Sequence, residues 1–176
     1  MSKIQMKINQ KEINRLIKFN KMLETRTVHN LKNQMFKEAV QFRSGVIRSM
    51  KNTAKDYTRT YGVRGHHPSR PGYPPAIDTG NAIRTMQTRT TRTGAEYFIF
   101  GASYMEAHEF GVKHSWTIEA KNAKVLSDGV SFFGKKVEHP GLAERPFIRP
   151  LIEKSQRSWD KNFSRTVGYD IKRFSR

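Results

Sequence analysis

YFIFGASYMEAHEFG (residues 97–111), TIEAKNAKVLSDGVSFFGKKVEHPG (117–141) and RPFIRP (145–150) form one nearly continuous block on which the architecture of this chain turns. Two apolar runs, Tyr97–Phe100 and Val130–Phe133, bracket a span too polar for a buried helix. Gly101 ends the first run and Ser103 offers a cap for a short helix from Tyr104 to Phe110. Gly111 then supplies the positive φ that a helix C-terminus commonly takes. Trp116–Glu119 and Val130–Phe133 read as two strands, with Ser127-Asp128-Gly129 as the turn before the second. Pro146 and Pro150 bound a tether that leads into a helix from Leu151, with Ile152, Trp159, Phe163 and Val167 as its apolar contacts. The block therefore reads as strand, short helix, long hairpin, tether and closing helix.

Upstream, Ile4, Met6 and Ile8 alternate like a short strand, and Asn9 with Glu12 has the spacing of a capping box. Ile13, Leu16 and Ile17 fall on one helical face, and Thr25-Arg26-Thr27 marks a break or bend because threonine is a weak helix former. A longer helix is expected from His29 to Tyr57. Leu31, Met35, Ala39, Phe42, Val46, Met50, Ala54 and Tyr57 recur at spacings of three and four, one stripe close to the 3.6-residue period. Lys32, Lys37, Arg43, Arg48, Lys51 and Lys55 fall largely off it.

Residues 61–75, YGVRGHHPSRPGYPP, hold four of the seven prolines and three glycines, so an extended arm or loop is expected there. His66 and His67 are adjacent, but neighbours in extended chain point opposite ways, and no carboxylate or cysteine lies close in sequence. Asp78–Asn81 supplies a turn and cap. Ile83–Thr91 alternates as a solvent-facing strand and pairs across Arg92–Gly94 with Tyr97–Phe100.

The fold class expected is α+β: a long amphipathic N-terminal helix packed on a small antiparallel sheet, a long protruding hairpin, and a C-terminal helix. The chain is within the size of a single domain, 1–176. It divides into a helical part (1–60), a Pro/Gly-rich arm (61–77), a β-rich core (78–150) and a closing helix with a basic tail (151–176).

Thirty-three Lys and Arg against fifteen Asp and Glu give a formal charge of +18. Such a surface draws polyanions: nucleic acid, anionic membrane or an acidic protein. Cysteine is absent, which excludes disulfides and thiolate metal sites. No run approaches the ~20 apolar residues that span a bilayer, and MSKIQMKINQ lacks the apolar centre of a secretory signal. Enzyme templates fail on inventory. Glu106-Ala107-His108-Glu109 resembles part of a zinc-protease helix, but the second histidine would fall at position 112, which is Val112. There is no G-x-S-x-G, no phosphate-binding glycine loop, no cysteine nucleophile and no carboxylate cluster. The expectation is a protein without catalysis, metal or cofactor.

The order RPGYPPAIDTGNAIRTM (70–86), YMEAHEFG (104–111), AKNAKVL (120–126), FFGKKVEHPG (132–141) and RPFIRPLIE (145–153) resembles the head–tail joining and tail-completion (neck) proteins of tailed bacteriophages, and the related virion-morphogenesis proteins. The resemblance implies a structural virion protein, made in the bacterial host cytoplasm, that forms a homo-oligomeric ring at the neck around the DNA channel. Its implied partners are copies of itself, a portal-side connector and tail-tube or terminator proteins, with non-specific contact to genomic DNA and no membrane. A basic DNA-binding accessory protein, or a tail-terminator ring at the tail end, stands as the alternative. Candidate intersubunit or structural residues are Tyr104, Glu109, Phe110, Gly111, His139, Pro140, Arg145, Pro146 and Phe147. Glu109, Phe110 and Gly111 are read as structural, and Arg145 and Phe147 either as intersubunit anchors or as a clasp on the C-terminal helix. Arg64, Arg70, Arg84, Arg89 and Arg92 are the candidates for meeting DNA in the lumen or an acidic partner. The arginines of the strand serve equally as edge protection.

Overall fold

In the computed structural model, residues 10–60, 65–99, 102, 104–127 and 131–174 are described. The expected strand at Ile4–Ile8, the Asn9 cap and the Ser103 cap lie outside them. Helix α1 (Gln10–Lys51) and helix α2 (Asn81–Thr85) are followed by the antiparallel pair β1 (Met86–Thr90) and β2 (Ala95–Ile99), then by helix α3 (Tyr104–Phe110). The protruding hairpin contains β3 (Trp116–Glu119), β4 (Leu126–Ser127), β5 (Phe132–Gly134) and β6 (Lys136–His139), and helix α4 (Arg149–Phe174) closes the chain. The class is α+β, as the sequence indicates.

Helices α1 and α4 run antiparallel. Gly45 faces Leu151, whose methyls lie 3.7 and 3.9 Å from where a Cβ would stand. Phe42 tilts against Trp159 with ring centroids 5.9 Å apart. Farther along, Asn162 Nδ2 donates to Glu38 Oε1 (2.7 Å), and Asn30 Nδ2 donates to both carboxylate oxygens of Asp170 (2.8 and 3.0 Å). The β1–β2 pair packs on the same helix. Arg43 Nε donates to the Met86 carbonyl at 2.8 Å, and buried Gly94 lies so close to Met35 that a Cβ would collide with that thioether. Val46, Met50, Ala82, Met86, Ala102, Met105 and Phe147 form the core, with Phe42, Ile77 and Leu151 around it.

The structure corrects the sequence reading in four places. Helix α1 runs through Thr25–Thr27 without a break, because Thr25 Oγ1 returns its hydrogen bond to the Lys21 carbonyl within the helix (2.9 Å). It ends at Lys51 and does not reach Tyr57, which is exposed. The chain beyond it is drawn to the proline arm: Asp56 N donates to Pro68 O, Arg70 N to Ala54 O, and Thr53 Oγ1 to Pro74 O. Residues 83–85, expected to open the strand, belong instead to the single helical turn of α2, and the strand starts at Met86. Gly80 at φ +76° ends the loop, and the Arg84 amide bonds the Gly80 carbonyl. In the hairpin, Trp116–Glu119 pairs with Lys136–His139 and not with Val130–Phe133; Phe132–Gly134 instead pairs with Leu126–Ser127 beside a register shift. Asp128–Val130 lie outside the described residues. The expected sheet is thus three separate two-stranded ladders.

Gly111 adopts φ +69°, and a Cβ there would meet the Leu142 carbonyl oxygen at 2.8 Å. That carbonyl is fixed, since Val112 and Leu142 exchange two backbone hydrogen bonds of 2.8 and 2.9 Å. Gly111→Val should therefore cost about 2 kcal/mol or more and lower Tm by ~5 °C, as read by thermal unfolding. An unchanged Tm would refute the steric account.

Candidate functional site

Helix α4 opens with a demand that the helix itself cannot meet. Its first amides have no intrahelical acceptor, and Pro150 contributes none. The Leu151 and Ile152 amides both reach the Ile148 carbonyl at 3.0 Å, leaving those of Phe147, Ile148 and Arg149. All three donate to one carboxylate, Glu109 at the end of α3: Phe147 N at 2.8 Å and Ile148 N at 3.0 Å to Oε2, and Arg149 N at 3.0 Å to Oε1. The Arg149 side chain folds back on the same residue, with Nε on Glu109 Oε1 (3.1 Å) and Nη2 on its carbonyl (2.8 Å) and on Glu144 Oε2 (2.8 Å). Glu109 is 3% exposed. Burial alone would push its carboxyl up, but the three amides and the guanidinium outweigh this and hold it below the usual carboxylate range.

The expected motif residues converge here. Phe110 is exposed and lies under Arg149, whose Cζ is 5.4 Å from the ring centroid. The Arg145 amide donates to the His108 carbonyl (2.7 Å), and its Nε donates to the Ser69 carbonyl (3.2 Å), tying the proline arm to the tether. Phe147 is 1% exposed within the core, so it cannot anchor a neighbouring subunit through its side chain. For this residue the clasp applies, and the anchor reading is corrected. Pro146 is half-buried beside it. His139 stacks on Trp116 (centroids 4.1 Å apart), and its Nδ1 accepts from the Gly141 amide (3.2 Å). Pro140 is exposed. Three participants escaped the sequence reading: Glu144, Arg149 and Gly141. The last has φ +109°, where a Cβ would strike the Val112 carbonyl at 2.5 Å. The signal for Arg149 was present in its position between Ile148 and Pro150, at the point where a helix starts.

A cleft of about 450 Å³ beside the clasp is lined by His66, Ser69, Asp78, His108, His139 and Arg145, with Tyr104 at its edge. His66 and His67 do point apart. His66 Nδ1 lies 3.9 Å from Asp78, so a carboxylate is near it after all, while His67 contacts the Arg59 carbonyl and the Tyr57 ring. Burial, then the charge of Arg145, holds the His108 imidazole below its ordinary pKa. Its Nδ1 and the Ser69 hydroxyl are buried without a hydrogen-bond partner among the described residues. Those residues contain no group of three or more His, Cys, Asp or Glu placed to hold a metal ion.

The basic candidates do not form one site. Arg64 lies outside the described residues. Arg84 Nη1 is bound to the Thr79 carbonyl (2.9 Å), and Arg89 is ion-paired with Glu96 across the β1–β2 ladder. Arg70 and Arg92 are exposed. A second cavity, an apolar groove of about 850 Å³, runs between α1, α3 and α4 past Met35, Phe42, Phe110, Ile152, Trp159 and Phe163. No helix among the described residues is long and apolar enough to cross a membrane. Compared with protein-family models, curated proteins and solved structures, the chain matches none.

Glu109→Gln removes a charge that three amides and Arg149 were built around, and should lower stability by about 3 kcal/mol at neutral pH. A carboxyl depressed on folding stabilises fully above its unfolded pKa of about 4.3 and loses that contribution as pH falls through the folded value. The Tm gap between wild type and Glu109→Gln should therefore narrow progressively below pH ~4.3. A gap independent of pH would show that the ionised form carries no special stability.

Proposed function

We propose that this chain is a structural virion protein of a tailed bacteriophage, acting as a ring at the neck between head and tail. The observation that carries the reading is the ordered set of family-like landmarks, and the clasp supports it. YMEAHEFG supplies Glu109 and Gly111, VEHPG supplies Gly141, and RPFIRP supplies the amides that Glu109 holds. Segments far apart in sequence thus serve one joint.

Surface apolarity supports assembly as well. Leu16, Ile17, Met22 and Val28 on the first half of α1 are exposed by 45–62%, and Phe132 in the hairpin by 78%. Only seven apolar side chains among the described residues are buried, a thin core for a chain of this length. Uncovered apolar surface on this scale is the ordinary mark of an interface. The high positive charge suits a wall past which DNA slides, with no base-reading module required.

Cryo-electron microscopy of the virion should place copies of this chain in a closed ring between portal and tail, and particles lacking it should accumulate as unjoined heads and tails. Particles that join normally without it would end the proposal. The DNA-binding alternative draws on the +18 charge and on the arginines of the expected first strand, of which Arg84 and Arg89 are engaged within the protein. It requires tight duplex binding at ~50 mM salt that weakens steeply with added salt. A fluorescence-anisotropy titration separates the two: a neck protein should bind duplex weakly and without sequence preference.

A further inference from the structure

We infer that the apolar groove between α1, α3 and α4 receives the tip of the β3–β6 hairpin from a second copy of this chain. The inference rests on the ring reading above and names the surface through which one subunit holds the next.

The two halves are complementary in both polarity and charge. Aromatic and aliphatic side chains line the groove, but a nearly buried carboxylate, Glu38, stands among them at 6% exposure. Glu38 Oε1 accepts from Gln34 Nε2 (2.6 Å) and Asn162 Nδ2 (2.7 Å), both neutral amides, and no cation among the described residues pairs with it. Exposed Glu106 lies on the same lining, and Arg149, the cation of that lining, is already paired with Glu109. A carboxylate left without a cation in an apolar cleft is costly unless a positive group arrives from outside.

The hairpin carries what the groove lacks. Phe132, Phe133 and Val125 are exposed by 78, 48 and 39%. Around them stand Lys121, Lys124 and Lys135, exposed and with no carboxylate partner among the described residues. By contrast, Lys136 is paired with Glu119 at 2.6 Å in the stem of the hairpin. Among the described residues, the hairpin's strands form ladders with one another and with no other strand. Apolar, cationic tip and apolar, anionic groove are different patches on one polypeptide. Joining them between copies is a heterologous contact, the kind that builds a ring when its rotation closes.

The absence of cysteine makes the test clean. Phe133→Cys and Ile152→Cys place thiols on the exposed tip and on the groove, where Ile152 is 42% exposed. Oxidation of the mixed single variants should give a 133–152 heterodimer, identified by mass spectrometry of the linked peptides, and the double variant a ladder of covalent multimers. In parallel, Phe132→Asp with Phe133→Asp should weaken self-association at least tenfold in sedimentation while leaving the monomer's Tm unchanged. Wild type that assembles, with no 133–152 link and with the Asp variant assembling equally well, would overturn the docking and leave the ring reading standing. A wild type that stays monomeric in solution and in the virion would overturn both.

Discussion

The fold hinges on one ionised side chain placed where a helix begins. Glu109 takes the three free amides that precede and open α4, and in doing so fixes the direction in which a 26-residue helix leaves the tether. Negative charge at a helix N-terminus is favourable in itself, and enclosure strengthens each hydrogen bond it makes. Because α4 must then run back along α1, the Phe42–Trp159, Glu38–Asn162 and Asn30–Asp170 contacts all inherit their register from this carboxylate. Arg149 keeps the arrangement electrically balanced and extends it to Glu144.

Much of this was legible in the chain, in proportion to how local the cause is. Gly111 ends α3 where a positive φ was expected, and Arg92–Gly94 turns one strand into its partner, because such backbone needs are written in adjacent residues. The extent of α1 was less legible. Thr25 weakens a helix in isolation, yet inside a long one its hydroxyl finds an acceptor one turn back. Tyr57 continues the periodicity of the stripe, but the prolines from 68 to 75 compete for the same backbone and win. Hairpin register does not follow from apolarity: Val130–Phe133 is the most apolar run of the segment, yet Trp116 pairs with His139, which stacks on its ring.

The candidate site divides along the same line. That Glu109 is structural can be read from its neighbours; that its acceptors serve amides some forty positions later cannot, since nothing local couples them. Phe147 fits either an anchor or a clasp until its burial is known. The arginines thought free for DNA are partly spent on the protein itself, Arg84 on a loop carbonyl and Arg89 on Glu96. Positive charge on this molecule is accordingly a property of the whole surface more than of one patch.

Among the described residues, the side-chain contacts between α4 and α1 fall on the second half of α1. Past the Asn30–Asp170 contact and the end of α4, α1 continues for roughly 25 Å of unbroken helix. An unbroken rod carries an angular change along its whole length. A tilt of ~10° at the seam displaces its far end by about 4 Å at this length. The uninterrupted passage through Thr25 thus gives the molecule a means of turning a slight angular adjustment at its clasp into a movement large enough to be felt by whatever lies against Leu16 and Ile17.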